Sequence, residues 1–98
     1  MTITDIKNGN ELTLKIEGSI NTTTAPELES HISAAIDDIS KLVLDFKEVS
    51  YISSAGLRVL LTTRKNMAQK GELLLCNVNA DVMEIFEVTG FNEILTIL

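Results

Sequence analysis

The residues of this chain whose types and spacing could support chemistry are two adjacent serines and a glycine in the run Tyr51–Leu57 (YISSAGL). They stand where an extended apolar segment gives way to a helical pattern. The first backbone N–H groups of a helix have no partner within it, and the helix dipole is positive there. A serine at that point can cap the helix, and it can also carry a phosphate that the same N–H groups would stabilise. The pattern leaves both roles open.

Motifs for enzymatic chemistry are absent from the rest of the chain. There is no Walker loop, no G-x-G-x-x-G, no C-x-x-C and no H-x-x-x-H. The serines lack the G-x-S-x-G context of a hydrolase nucleophile, and no base is evident to activate them. The only histidine, His31, is expected at the surface or at the boundary of the core rather than at a metal. We therefore expect neither an enzyme nor a cofactor.

The overall composition excludes several classes of protein. A net charge of −6 and a pI of about 4.6 disfavour direct binding to nucleic acid. The single cysteine, Cys76, cannot form an internal disulfide, and the N-terminus does not have the pattern of a signal peptide. No apolar run approaches the ~20 residues that span a bilayer. We expect one soluble cytoplasmic domain over residues 1–98, without membrane contact and monomeric.

Basic residues are concentrated in one segment. Residues 49–71 contain no acid, whereas all 14 acids lie elsewhere. One interpretation is a solvated helix face, and the other is a surface complementary to an acidic partner. The four bases of this segment are Arg58, Arg64, Lys65 and Lys70.

Apolar periodicity predicts alternating strands and helices. Alternation on both sides of the turn Asn8–Asn10 predicts a hairpin that Gly18 closes, and the capping-box spacing of Thr24 and Glu27 begins the first helix. The predicted helices cover 25–39, 54–70 and 79–88, and the later strands cover 41–46, 72–77 and 93–98, with a loop over 47–53. The order β-β-α-β-α-β-α-β predicts an α/β fold with a mixed, mostly parallel sheet, an antiparallel edge hairpin and flanking helices.

Each of the first two predicted helices has an apolar stripe that should face the core. In the first helix the stripe consists of Leu28, Ile32, Ala35, Ile36 and Ile39. In the second it consists of Leu57, Leu60, Leu61, Arg64, Met67 and Ala68, with Arg64 at the edge.

This element order, together with the run Val49–Leu61 (VSYISSAGLRVLL), resembles the STAS domain, the family of sulfate transporter domains and anti-sigma factor antagonists. The resemblance covers essentially the whole chain, and the length is similar to that of the free-standing bacterial antagonists. It implies a regulatory binding protein rather than an enzyme. Its other parts are Gly18–Asn21, Thr24–Leu28, Leu42–Phe46 and Phe86 with Thr89 and Gly90.

The resemblance also implies the site residues. The family's site reads D-S-[ST]-G-[LI], and Ser53–Leu57 matches it with Ser54 on the phosphoacceptor. Ser53 stands in place of the usual Asp and is the less favoured acceptor, Ala55 replaces the second hydroxyl residue, and Asn21 replaces an acid. Gly56 has two open roles, close helix packing and approach of a partner to the backbone. The implied partner-binding residues are Asn21, Thr22, Ser53, Ala55, Gly56, Leu57 and Arg58.

The family's mechanism implies partner switching. The unphosphorylated antagonist binds an anti-sigma factor serine kinase, and the sigma factor is released to direct transcription. Phosphorylation of Ser54 by the kinase ends the interaction, and a phosphatase acting on phospho-Ser54 restores it. The alternative is a non-switching STAS adaptor subunit of a lipid-transport or signalling complex, in which Ser54 only caps the helix.

Overall fold

The computed structural model describes residues 1–98 and contains five strands and three helices, which alternate after an initial pair of strands. In chain order the elements are β1 (Thr2–Asn8), β2 (Glu11–Ile20), α1 (Ala25–Ala35), β3 (Lys41–Ile52), α2 (Ser54–Ala68), β4 (Glu72–Cys76), α3 (Ala80–Thr89), a 3₁₀ turn (Phe91–Glu93) and β5 (Thr96–Ile97).

The five strands form one sheet in the order β1-β2-β3-β4-β5. The first two strands are antiparallel and joined by a two-residue turn, in which Gly9 has a φ of 63°. The remaining neighbours are parallel. Each parallel strand is added on the same side of the one before it, and right-handed crossovers then place every helix on one face of the sheet. The predicted α/β fold with its antiparallel edge hairpin is confirmed.

The core lies between the helices and that one face. Leu12, Leu14 and Ile16 alternate along β2 and are buried, whereas Lys15 and Glu17 point to the open face and are exposed. β3 continues the buried layer with Leu42, Leu44 and Phe46. α3 closes the core over this layer, because the rings of Phe46 and Phe86 lie 6.2 Å apart.

The predicted loop over 47–53 is wrong, because β3 continues to Ile52. The charged pair Lys47 and Glu48 interrupts the apolar pattern without ending the strand. The register with β2 shifts at two points, between Lys15 and Glu17 and between Gly18 and Ser19. Such bulges move the inward-facing positions, so Val49 and Ile52 are buried at a spacing of three. Gly18 therefore lies within β2 and does not close the hairpin.

Two other predicted elements are too long. α1 ends at Ala35, four residues early, because its last turn has no basic side chain and two acids follow at Asp37 and Asp38, where the helix dipole disfavours negative charge. The last strand is only Thr96–Ile97, since the chain forms a 3₁₀ turn at Phe91–Glu93 after Gly90. Ile36 and Ile39 are buried as predicted, although they lie beyond the helix.

The buried face of α2 is rotated relative to the predicted stripe. Arg64 and Ala68 are exposed and Leu61 is half-buried. Val59 and Thr63 lie inside instead, because the Thr63 hydroxyl is satisfied by donating to the carbonyl oxygen of Val59 at 2.8 Å. No helix of the chain is both long and apolar enough to cross a lipid bilayer.

Candidate functional site

Ser53 supplies the N-terminal cap of α2. Its backbone is extended, with φ −93° and ψ 176°, and its Oγ accepts a hydrogen bond from the N–H of Gly56 at 3.3 Å. Its own N–H donates to the carbonyl oxygen of Ile20 at 2.8 Å, which ties the start of α2 to the end of β2. The capping role considered for Ser54 in the adaptor alternative therefore belongs to Ser53.

Ser54 is the first helical residue, and its side chain is exposed. The backbone N–H groups at the first positions of a helix have no partner in the preceding turn. α1 and α3 each have an acid in the first turn, Glu27 and Asp81, whereas α2 has none. The positive end of the α2 dipole is thus not balanced by an acidic side chain of its own first turn.

Gly56 allows the first turn of α2 to pack directly against the sheet. A Cβ atom at this position would lie 2.6 Å from Cγ1 of Ile52 and 2.7 Å from Cγ2 of Ile20, both closer than real contacts allow. Both isoleucines are fully buried, so they have little room to move. Of the two open roles, the structure supports close packing, and Gly56 itself is buried.

The loop after β2 is held rigid by Asn21 and Thr24. The Asn21 Oδ1 accepts from the N–H groups of Thr23 at 2.9 Å and Thr24 at 3.0 Å. The Thr24 hydroxyl donates to the carbonyl oxygen of Ser19 at 2.7 Å and accepts from the N–H of Asn21 at 2.8 Å. The predicted capping box is wrong, because Thr24 makes no side-chain cap bond to α1 and its hydroxyl closes this loop instead.

Basic side chains extend from the site along one face of α2. At 3.6 residues per turn, positions 54, 58 and 65 fall within about 40° of each other around the helix. Arg58 and Lys65 are exposed, and neither is in an ion pair within the chain. The other two bases have contacts, since the Arg64 Nε donates to the carbonyl oxygen of Ile94 at 2.8 Å and the Lys70 Nζ to that of Asp37 at 3.4 Å.

The residues expected at the site occupy three levels of exposure. Gly56 and Leu57 are buried, so they position the surface rather than form it. Sequence reasoning included Ser19 and Ile20 in the family resemblance but gave them no role; the Ser19 carbonyl oxygen accepts from the Thr24 hydroxyl within the loop, and the Ile20 carbonyl oxygen accepts from the N–H of Ser53. Thr22, Ser54 and Arg58 are exposed, and Asn21, Ser53 and Ala55 are half-buried.

A second polar cluster lies outside the site, where β3 and β4 pair through Asp45 and Cys76. Burial raises the pKa of Asp45, but hydrogen bonds from the Asn77 amide and the Lys47 N–H, both at 3.0 Å, outweigh it and hold the pKa below its usual range. Burial, and then the charge of Asp45, raise the pKa of the Cys76 thiol.

His31 lies at the core boundary, as expected, with its Nε2 2.6 Å from Oδ1 of Asp5.

Comparison with known proteins defines the family. The model of the STAS domain matches residues 2–98, so the chain belongs to the STAS domain family. BtrV of Bordetella bronchiseptica, whose name assigns it provisionally to the anti-sigma factor antagonists, is 40% identical over 84 residues, which are 84% of this chain and 72% of that protein. The anti-sigma-B factor antagonist of Bacillus subtilis is 33% identical over 95 residues, which are 95% of this chain and 87% of that protein.

The fold has solved counterparts. The crystal structure of an anti-sigma factor antagonist from Mycobacterium paratuberculosis matches 98% of this chain and 83% of that chain, with a TM-score of 0.89 and 23% sequence identity. The predicted membership of the STAS family is confirmed.

Proposed function

We propose that this protein is an anti-sigma factor antagonist whose binding to an anti-sigma factor serine kinase is switched off by phosphorylation of Ser54. In the unphosphorylated state it occupies the kinase, and the sigma factor is free to direct transcription. A phosphatase acting on phospho-Ser54 resets the switch. The protein acts in the cytoplasm as a binding protein, and no turnover of substrate is part of its role.

The single observation that carries this proposal is that Ser53 and Ser54 have different structural roles at the start of α2. Ser53 holds the cap, whereas the Ser54 hydroxyl is exposed and is not used to hold the helix. A phosphate can therefore be added to Ser54 without removing a hydrogen bond of the fold. The same modification on Ser53 would remove the cap of α2.

The electrostatics favour a stable phosphorylated form. A phosphoserine carries about −1.5 to −2 charges at neutral pH. At Ser54 this charge would lie at the positive end of α2, with the unpaired Arg58 one turn further along the helix. The fold need not change, so the effect falls on the partner, which meets a new charge and a larger group in the middle of its contact surface.

Phosphosite mapping tests the proposal. The purified chain is incubated with the cognate kinase and ATP, and the phosphorylated residue is located by tandem mass spectrometry. We expect phosphate on Ser54 in the wild type and none in Ser54→Ala. Ser53→Asp is the matched control, because aspartate keeps the cap and cannot be phosphorylated, and this variant should still be modified on Ser54. Phosphate only on Ser53 would overturn the residue assignment.

The competing adaptor function makes a different prediction. A non-switching subunit would keep its partner whether or not Ser54 is modified. Purification from the native cell, with mass spectrometry of the bound proteins, should recover an ATP-binding kinase together with the unphosphorylated chain only. Recovery of a permease complex, with no phosphate on Ser50–Ser54, would favour the adaptor.

A further inference from the structure

The outer edge of β1 is a long, uncovered strand edge. β1 is the terminal strand of the sheet, with seven residues, and all of them except Ile3 are exposed. Ile6 is 46% exposed on the open face of the sheet. Natural edge strands are usually short, bulged, covered or charged, because an open edge pairs with other strands; on β1 the only charges are Asp5 and Lys7, which are opposite in sign.

The hydrogen-bond pattern of β2 shows which backbone groups of β1 are free. The carbonyl oxygen of Asn10 accepts from the N–H groups of Ser40 and Lys41 at 2.9 and 3.2 Å, so even-numbered positions at this end of β2 face β3. Odd-numbered positions of β2 therefore face β1, where the register pairs them with even-numbered residues. The N–H and C=O groups left at the free edge belong to Ile3, Asp5 and Lys7.

The side chains of β1 are complementary to a second β1 in the antiparallel direction. If a two-fold axis passes beside Ile6, the two Ile6 side chains face each other. Asp5 then lies opposite Lys7 of the partner copy, and Lys7 opposite Asp5 of the partner copy. The free N–H and C=O groups of Asp5 and Lys7 meet as hydrogen-bonded pairs in this register. An axis at Asp5 would instead place two carboxylates opposite each other.

Contacts within the chain already hold these two charges at the edge. The Asp5 Oδ1 is 2.6 Å from the Nε2 of His31 on α1, and the Lys7 Nζ is 2.6 Å from Oδ2 of Asp38, which follows α1, so both side chains have a partner within the chain. In the paired arrangement Asp5 gains a basic neighbour in Lys7 of the partner copy, and Lys7 gains a second acidic neighbour in Asp5 of the partner copy. Both bridges are partly exposed, which leaves room for a second copy.

We propose that a second copy of this chain pairs with β1 antiparallel about Ile6, joining two sheets into one. The sequence predicts a monomer, in which β1 is only one strand of the edge hairpin. The proposed dimer differs from that prediction. β1 lies two strands away from β3, which leads into Ser54, so the dimer leaves the proposed switch surface free.

Charge complementation tests both the dimer and its register. By sedimentation equilibrium we expect the wild type to dimerise reversibly, and Asp5→Lys alone or Lys7→Glu alone to weaken the dimer by about tenfold or more, because like charges then face each other. An equimolar mixture of the two variants should form a heterodimer about as tight as the wild-type dimer, since both cross-strand pairs become opposite in sign. A wild type that stays monomeric up to about 1 mM, or a mixture that does not associate, would overturn the proposal.

Crosslinking provides a second test that does not depend on these charges. In a Cys76→Ser background, Ile6→Cys should form an intermolecular disulfide under mild oxidation, because residues of a non-hydrogen-bonded antiparallel pair have Cα atoms about 4.5 Å apart. Thr4→Cys is the matched control, since it lies on the same face but opposite Asn8 of the partner copy. Equal or faster crosslinking of Thr4→Cys would contradict the Ile6-centred register.

Discussion

Ile52 fills the space in which Gly56 would carry a side chain, because a Cβ atom on Gly56 would lie 2.6 Å from the Ile52 Cγ1. The last residue of β3 and the first turn of α2 are therefore in direct contact. The position of Ser54 above the sheet depends on this contact as well as on the single residue, Ser53, that connects the strand to the helix.

Gly56→Ala should destabilise the protein by about 1–3 kcal/mol, as overpacking of a filled core does, despite the better helix propensity of alanine. Urea denaturation measures this change. Ile52→Ala is the partner for a double-mutant cycle, because it removes the Ile52 atoms that would clash and leaves only the contact with Ile20, and the double variant should lose less than the sum of the two single variants. A Gly56→Ala protein that is more stable than the wild type would contradict the packing role.

The two serines should differ in their effect on stability. Ser53→Ala removes the cap of α2 and should cost about 0.5–2 kcal/mol, whereas Ser54→Ala should leave the free energy of unfolding within about 0.5 kcal/mol of the wild type. Ser53→Asp should restore the cap. Equal losses in both alanine variants would contradict the assignment of the cap to Ser53.

Binding to the kinase, unlike stability, should depend on Ser54. Ser54→Asp places a negative charge at the centre of the proposed contact surface and should weaken kinase binding by roughly 200- to 1000-fold, which corresponds to ~3–4 kcal/mol. Ser54→Ala should bind like the wild type and resist phosphorylation. Isothermal titration calorimetry measures the affinity of both variants for the kinase. Unchanged thermal melting of Ser54→Asp would show that the loss of binding is not due to unfolding.

The basic face of α2 should act on the rate of association. Arg58 and Lys65 are exposed and unpaired, so reversing both charges should slow binding to an acidic partner and flatten its dependence on salt. The matched control reverses Lys15 and Lys47, which changes the net charge equally on the other side of the fold. Stopped-flow measurements at low salt compare the two, and equal on-rates would mean that the basic face is only solvated.

Asp45 should contribute to the loss of folding stability at acidic pH. Because its pKa in the folded state is below the ordinary value of 3.8, its contribution is present above that value and is lost as the pH falls through the folded pKa. Asn77→Gly removes the amide hydrogen bond without straining the left-handed backbone, where φ is 56°, and should raise the pKa of Asp45. NMR titration of the Asp45 carboxyl carbon measures the shift; no change would contradict the role of Asn77.

Strict alternation and helical spacing predicted the element order well, because burial of one face imposes those periods. They failed at β3, where two bulges with β2 change which side chains point inward. They also failed at α2, where Thr63 replaces an apolar residue by bonding its hydroxyl within the helix. Such local hydrogen bonds and register shifts leave no periodic signal.

The candidate site was predicted to the level of the motif and no further. The run Ser53–Leu57 was found because two serines and a glycine stand where an extended apolar segment gives way to a helical pattern, and because the run matches the motif of the STAS family. Which serine caps the helix depends on one dihedral angle of Ser53, and the capping-box spacing of Thr24 and Glu27 was misleading because Asn21 competes for the same hydroxyl. These hydrogen bonds depend on which groups lie close together in space, and the order of residues alone does not show this.

The strand order β1-β2-β3-β4-β5 means that each strand lies beside the one synthesised just before it. A chain leaving the ribosome can therefore form its hairpin first and then add one strand and one helix at a time to an edge that already exists. The elements that position Ser54 are β2, β3 and α2, and all of them precede β4 in the chain. The geometry of the proposed switch is thus encoded in the part of the protein that can fold first.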